Sequence, residues 1–496
     1  MILPARIIDL HTHLFNARYV PLASIIAHAM KTDQSILADR AAALLEELAG
    51  SSYEASDLLP PPTDPAAEEK YLLDQIWAIT RHELLDPTEQ EAGRPALHGG
   101  EPVPGLDGSA RILPLIIALS EVDYAAEGWG GEVPPTLPKH EKLTGVMGRD
   151  DVLGWAEKVL RAALKAVVGL MEPRTWGHAE NYLEFFLTML KPEQGLVDKI
   201  FKGYGEGLPP VQVVHFMMDM QLAYTYHKPP RYPFHPEQHQ KMERLAADNA
   251  GRVAGFSAFD PRRTDWRERA QYALDHGFAG FKFYPAMGYT PSNDPDYQAT
   301  IDAFFDFCVA NDAPVFVHCT PNGFQTRQKL GWNAHPARWR PVLDNPRWEN
   351  LRLCFGHAGG GDHHNGKQHS AGWMAGSASE WEARDNFASN VVELCVSKPN
   401  VYCELGYISE LFEPSAKPAF VANFQRACDT AGKFAFLDKV AYGSDWHMPD
   451  MVDNLREYLE FFLALMNQDD YRGHIDNFFW KNAVRYAPRL GVQQPQ

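Results

Sequence analysis

His11 and His13 stand two residues apart in IDLHTH. In an extended chain positions i and i+2 face the same way, so both imidazoles aim at one point and can chelate one ion while Thr12 points away. Farther along, His318 follows PVFV, His357 ends LRLCFGH and Asp445 follows VAYGS. His11, His13, His318 and Asp445 together offer the nitrogen and carboxylate donors that zinc or a similar divalent ion accepts, with a position left for water. An isolated histidine in an apolar run reads as a hydrogen-bonded core residue. Several of them with a carboxylate, all at the ends of successive strands, are costly to bury without a cation. The chemistry such a set supports is metal-assisted: water made acidic by the ion, a carboxylate to take its proton, and an imidazole to stabilise charge or protonate a leaving group.

These residues need strands that end together. From residue 211 onward, short apolar runs recur, each followed by a helical stretch, in the rhythm of βα units with parallel strands. The runs cover 211–220, 252–260, 277–285, 313–320, 351–357, 401–407 and 439–447, and ARIIDLHTH at 5–13 brings them to eight. Eight such strands predict a (β/α)8 TIM barrel with catalytic groups at the strands' C-terminal ends; an open doubly wound sheet is the alternative on count alone. The chain divides into a first barrel strand at 1–14, a mainly helical insertion or lid subdomain at 15–200, and the rest of the barrel at 201–496. Within the insertion, proline-rich loops fall at 60–65 and 134–138, and helices are expected near 38–48, 151–171 and 179–190. RILPLIIALSEVDY at 111–124 is the alternative barrel strand, and 450–466 and 478–491 read as closing helices.

The formal charge of −18 over 496 residues disfavours a nucleic-acid or anionic-membrane partner and suits a small-molecule substrate. No window reaches the roughly 18 apolar residues of a membrane span, and Asp9 with two histidines breaks up any secretory signal, so a cytoplasmic location is expected. The six cysteines all lie after residue 300 without a CxxC spacing and read as reduced core thiols.

DLHTH (9–13), HPEQHQKMERLAADNAGRVAGFSAFDPR (235–262), GFAGFKFYP, VFVHCT, NPRWENLRLCFGHAGG (345–360) and GSDW (443–446), in this order, resemble the amidohydrolase superfamily. Within it they resemble the amidohydrolase-related branch of metal-dependent hydrolases, non-oxidative decarboxylases and hydratases. The resemblance covers the first strand and nearly all of 200–491 and says little of the insertion. It implies one metal on His11, His13, His318 and Asp445, with Asp445 also moving a proton and His357 nearby as acid, base or oxyanion partner. The ion would be Zn2+, with Mn2+ as the alternative. Related binuclear enzymes carry a carboxylated lysine on the fourth strand, and FKFYPA is similar to that segment. Lys282 would then bridge to a second ion on His318 and His357; as an ordinary lysine it pairs with an acid or contacts substrate.

Glu404 is either a partner that orients a ligand imidazole or a structural acid. The glycine-rich segment 357–369, with His363, His364 and His369, reads as a loop over the barrel mouth carrying surface histidines. His447, Arg327 and Arg338 are candidates for a substrate carboxylate, or solvated charges. Trp332, Trp339, Trp348, Trp373 and Trp381 make either an aromatic wall or packing. The expected activity is hydrolysis of a small amide, lactone or related carbonyl compound by metal-activated water. The alternatives are decarboxylation or hydration of an aromatic or unsaturated acid, and a non-catalytic metal-binding interaction protein. A homo-oligomer is compatible with the sequence.

Overall fold

Val and Phe dominate the runs VQVVHF, VFVH and LCFG, and side chains of this kind favour the pleated, doubly covered strands of a parallel sheet. The computed structural model describes residues 2–51, 53, 65–85, 106–135, 148–170, 179–224, 228–326 and 329–491. All eight expected runs contain barrel strands: β1 (Ile7–Thr12), β2 (Val211–Phe216), β3 (Val253–Phe259), β4 (Phe281–Phe283), β5 (Val315–His318), β6 (Leu353–Gly356), β9 (Val401–Glu404) and β10 (Val440–Ala441). A small antiparallel hairpin, β7 (His363–Asn365) and β8 (Gln368–Ser370), stands apart.

The eight strands pair in parallel in the order β1-β2-β3-β4-β5-β6-β9-β10. Leu10 N donates to Tyr442 O at 3.1 Å and Asp445 N to His11 O at 2.7 Å, bringing β1 back against the chain after β10. The result is a nearly closed (β/α)8 barrel, as the rhythm of runs predicts. Phe216, Phe256, Phe316 and Cys354 join a core cluster with Ala483, Tyr486 and Leu490. The last three come from the closing segment, which follows the helix Met451–Met466 and forms the short helices Asn482–Tyr486 and Pro488–Gly491. All six cysteines are free thiols, five of them buried.

Two compact units are distinguished: Met1–Leu14, Lys199–Ala223 and Phe234–Gln496, which hold the barrel, and Phe15–Asp198 with Tyr224–Pro233. In the second unit the helices include Leu22–Ala29, Ile36–Leu48, Pro65–Leu85, Ser109–Ser120, Arg149–Leu170 and Ala179–Thr188. The run at 111–124 is therefore a helix over most of its length, not a barrel strand. Ile112, Ile116 and Leu119 are fully buried, at the i, i+4, i+7 spacing of a helical face. Residues 60–64 and 136–138 of the proline-rich loops lie outside the described residues, and Pro65 opens a helix, where its missing N–H costs nothing.

The segment Tyr224–Pro233, which the sequence reading assigned to the barrel, belongs to the helical unit for a polar reason. Tyr232 N donates to Arg18 O at 2.9 Å, and the buried Arg18 guanidinium reaches Tyr232 Oη at 2.9 Å and the carbonyls of Glu46 and Glu47 at 2.7 and 3.0 Å. Arg231 and Lys228 add ion pairs to Glu47 and Asp39. The same unit holds an apolar pocket of about 80 Å³, lined by Leu22, Ile26, Leu72, Ile76, Leu164 and Val167 among others.

Candidate functional site

Parallel strands deliver their C-terminal ends to one end of a barrel, and the singled-out residues sit there. His11 lies in β1 and His13 just past it; His318 and Glu404 end β5 and β9; His357 follows β6, and Asp445 comes four residues after β10. Lys282 occupies the middle of the short β4. All seven are buried.

Hydrogen bonds on the outer nitrogens decide what the inner ones carry. His13 Nδ1 lies 3.0 Å from Phe216 O, His318 Nε2 2.9 Å from Asn322 O, and His357 Nδ1 2.9 Å from Gly406 O. A carbonyl only accepts, so each of these ring nitrogens holds the proton and the opposite nitrogen of the neutral ring presents a lone pair. His11 Nδ1 faces the Glu404 carboxylate at 2.8 Å with the same consequence.

The inward lone pairs then meet acceptors. His11 Nε2 and His13 Nε2 stand 3.1 and 3.2 Å from the same oxygen, Asp445 Oδ1, which is buried and receives no hydrogen bond. His318 Nδ1 and His357 Nε2 face each other at 3.1 Å. Lone pairs at these separations repel unless a proton or a cation lies between them. Charge points the same way: Asp9, Glu404 and Asp445 are buried here and Lys282 is the buried base among them. The residues therefore fit a divalent cation, and the two-nitrogen, one-oxygen donor set suits zinc or a similar borderline ion.

Among the described residues, His11, His13 and Asp445 form one group whose donor atoms all lie within 4.8 Å of one another, and His11, His357 and Glu404 form another. His318 is in neither; the structure brings it to His357, against Tyr284, whose ring stacks on its imidazole at 4.1 Å. Lys282 Nζ approaches His11 Nε2 at 3.0 Å and sits over the Phe216 and Phe316 rings.

Burial, then the Lys282 charge, holds His11 well below the usual histidine range. Burial followed by His357 does the same to His318. His357 is pushed down to about 4 by burial, although Asp445 opposes the shift. All three imidazoles are neutral at pH 7 and free to ligate or accept a proton. Burial lowers Lys282 to about 8, partly offset by Asp445 and Glu404, and it raises the Glu404 carboxyl well above its ordinary value.

Asp9 builds the frame. Its carboxylate accepts from Ser444 N at 2.8 Å, Ser444 Oγ at 2.6 Å and Tyr204 Oη at 2.5 Å, which ties β1 to the GSDW segment. Asp445 itself has φ +60, and His357 also has φ +60 with Ala358 at +44, all in the sparsely populated left-handed region. Such conformations persist only where surrounding bonds enforce them. Gly443 leaves room for Glu404: a Cβ there would stand 2.2 Å from Glu404 Oε2 and 3.1 Å from His11 Cβ.

Sequence reasoning missed Asp9, Tyr204, Tyr284 and Gly443 as parts of the site. Asp9 carried a usable signal, since it continues the i, i+2 series of His11 and His13. The segment after His357 is the β7–β8 hairpin rather than a loop without secondary structure. Arg338 is exposed, and Arg327 lies outside the described residues. His447 is buried with Nδ1 on His13 O at 2.7 Å. Trp339 packs on Phe283 and Phe305, and Trp373 on Trp381 and Phe420, so these rings are core packing.

Several solved structures are similar to this chain at low identity. An amidohydrolase from Burkholderia multivorans is 14% identical over 61% of this chain and 91% of its own, with a TM-score of 0.39. A 5-carboxyvanillate decarboxylase from Novosphingobium aromaticivorans, bound to manganese, is 13% identical over 65% of this chain and 88% of its own, at 0.42. A 2,6-dihydroxybenzoate decarboxylase from Rhizobium is 15% identical over 60% and 89%, at 0.38. No curated protein matches the chain. The family model described as Amidohydrolase matches residues 232–486, half of the chain and six of the eight barrel strands, and on that match this protein belongs to the amidohydrolase family of enzymes.

Proposed function

We propose that this protein is a metal-dependent hydrolase of a small carbonyl compound such as an amide or lactone. His11, His13 and Asp445 hold one divalent ion, zinc or manganese, and His318 supplies a further donor. The observation that carries this reading is the convergence of two inward imidazole lone pairs on the undonated Asp445 Oδ1. When bound, a divalent ion there would polarise a carbonyl and make water a usable nucleophile near neutral pH. Asp445, buried beside that point, accepts the proton of the attacking water. His357, neutral and fixed through Nδ1 to Gly406 O, takes that proton from Asp445 on Nε2 and delivers it to the leaving group.

Lys282 favours a second reading, decarboxylation of an aromatic or unsaturated acid. With a pKa of about 8 it is mostly an ammonium at neutral pH, a buried counter-charge for a substrate carboxylate.

Metal content by inductively coupled plasma mass spectrometry tests the proposal. After a brief chelator wash that removes exposed, rapidly exchanging ions, one equivalent is expected in the wild type, none in His13→Ala or His318→Ala, and one in His357→Ala together with lost turnover. Retention by His318→Ala removes His318 from the ligand set. Two equivalents in the wild type, falling to one in His357→Ala, replace the single-ion site with a binuclear one bridged by carboxylated Lys282. Carbon dioxide release from carboxylic acids, without hydrolysis of amides or lactones, selects the second reading.

A further inference from the structure

The hairpin that follows His357 carries a second group of ligand atoms sharing no residue with the buried site. Its turn is short: Asn365 pairs with Gln368 across Gly366 and Lys367, and Gly366 adopts φ +62, the left-handed conformation that tight hairpin turns require. This turn sets the register, and the register places His364 directly opposite His369. Alternation along β7 then separates two neighbours. His363 is half-buried, with Nε2 close to Gly360, whereas His364 is exposed.

On the exposed face the His364 and His369 rings stack at 4.0 Å, 5° from parallel. Both turn Nε2 toward one acceptor: Asp362 Oδ1 is 2.6 Å from His369 Nε2 and 3.5 Å from His364 Nε2. One ligand atom from each residue lies within 4.8 Å of the others. A tetrahedral zinc ion with bonds of about 2.0–2.1 Å sets its donors about 3.3 Å apart, a value the two histidine–aspartate distances bracket. Exposed side chains reach that geometry by small rotations, while strand pairing keeps their Cα atoms in place. Asp362 is fixed from behind, its backbone N donating to Glu410 Oε1 at 3.0 Å.

We propose that Asp362, His364 and His369 form a surface site for a divalent transition ion of borderline softness, zinc or copper, held by two imidazoles and one carboxylate with solvent completing the shell. An ion here clips the two strands of the hairpin together and braces the segment leading away from His357. Being exposed, it exchanges with solvent readily and binds more weakly than an ion in the buried cluster.

The test is zinc titration of chelator-stripped protein by calorimetry, comparing wild type with the His364→Ala/His369→Ala double variant. The wild type is expected to take up one equivalent more, and Asp362→Asn to weaken that equivalent. His13→Ala should keep the hairpin equivalent, which separates this site from the buried one. With copper(II), electron paramagnetic resonance of His13→Ala should show coupling to two nitrogens that is lost when His364→Ala and His369→Ala are added to the same variant. Equal zinc stoichiometry and affinity in wild type and double variant overturn the proposal.

Discussion

Glu404 and His11 are locked together: Glu404 Oε1 stands 2.8 Å from His11 Nδ1, and the same oxygen accepts the backbone N–H of His357 at 2.7 Å. One carboxylate oxygen therefore sets the tautomer of one imidazole and the position of another. Glu404→Gln keeps the shape and replaces the carboxyl with an amide that cannot ionise. Loss of such an outer partner typically lowers metal affinity 10- to 100-fold. Competition against a chromophoric chelator should show a drop in this range with unchanged circular dichroism, and an unchanged affinity would show that Glu404 is only packing.

Gly443→Ala pushes a methyl group into Glu404 Oε2 and against His11 Cβ. Overpacking of this kind costs about 1–3 kcal/mol, and it should also strip the metal. Gly154 provides the contrast, because it lies in the helix Arg149–Leu170 with nothing within 4 Å of an added Cβ. Gly154→Ala should stabilise by up to about 1 kcal/mol through helix propensity and leave metal content alone. Urea midpoints and metal analysis of both variants check the pair.

Acid should destabilise the fold through buried histidines outside the metal cluster. His239 holds Nδ1 2.8 Å from Phe234 O and Nε2 2.8 Å from Ser257 Oγ, and burial pushes its pKa down to about 3 from 6.5. Below pH 6.5 the unfolded chain takes up a proton that the folded chain refuses. Stability therefore falls by about 1.4 kcal/mol per pH unit from this group as the pH drops toward 3, and is unaffected by it above 6.5. Urea midpoints measured from pH 7.5 to 4.5 should fall less steeply for His239→Gln, and parallel curves would refute the assignment.

Asp9→Ala removes the acceptor of Ser444 N, Ser444 Oγ and Tyr204 Oη and leaves buried donors unsatisfied. A cost of at least about 2 kcal/mol is expected. Loss of metal should accompany it, because the chain that carries Asp445 loses its tie to β1. Thermal unfolding with and without added zinc measures both effects.

The eight strands were legible because doubly covered parallel strands are written as short unbroken apolar runs. The same pattern left a barrel strand open as an alternative at 111–124, where Ile, Leu and Ala in a longer run serve a helix, and only the i, i+4, i+7 burial of Ile112, Ile116 and Leu119 tells the two apart. Within the site, the strand-end positions of His11, His13, His318, His357 and Asp445 could be read from the sequence. The direction of their lone pairs could not, because most of the acceptors that fix it are backbone carbonyls of Phe216, Asn322 and Gly406, which leave no trace in residue identity. The attachment of Tyr224–Pro233 to the helical unit was hidden for a similar reason: it depends on Arg18, an arginine whose partners are carbonyls and a phenol.

The bond from Ser444 to Asp9 joins residues 435 positions apart. On the ribosome, β1 is made first and its neighbour on this side last, so His11 and His13 leave the exit tunnel long before Asp445 exists. Assembly of the centre thus waits until all eight barrel strands have been synthesised, and the complete donor set becomes available to an ion only after Asp445 has emerged.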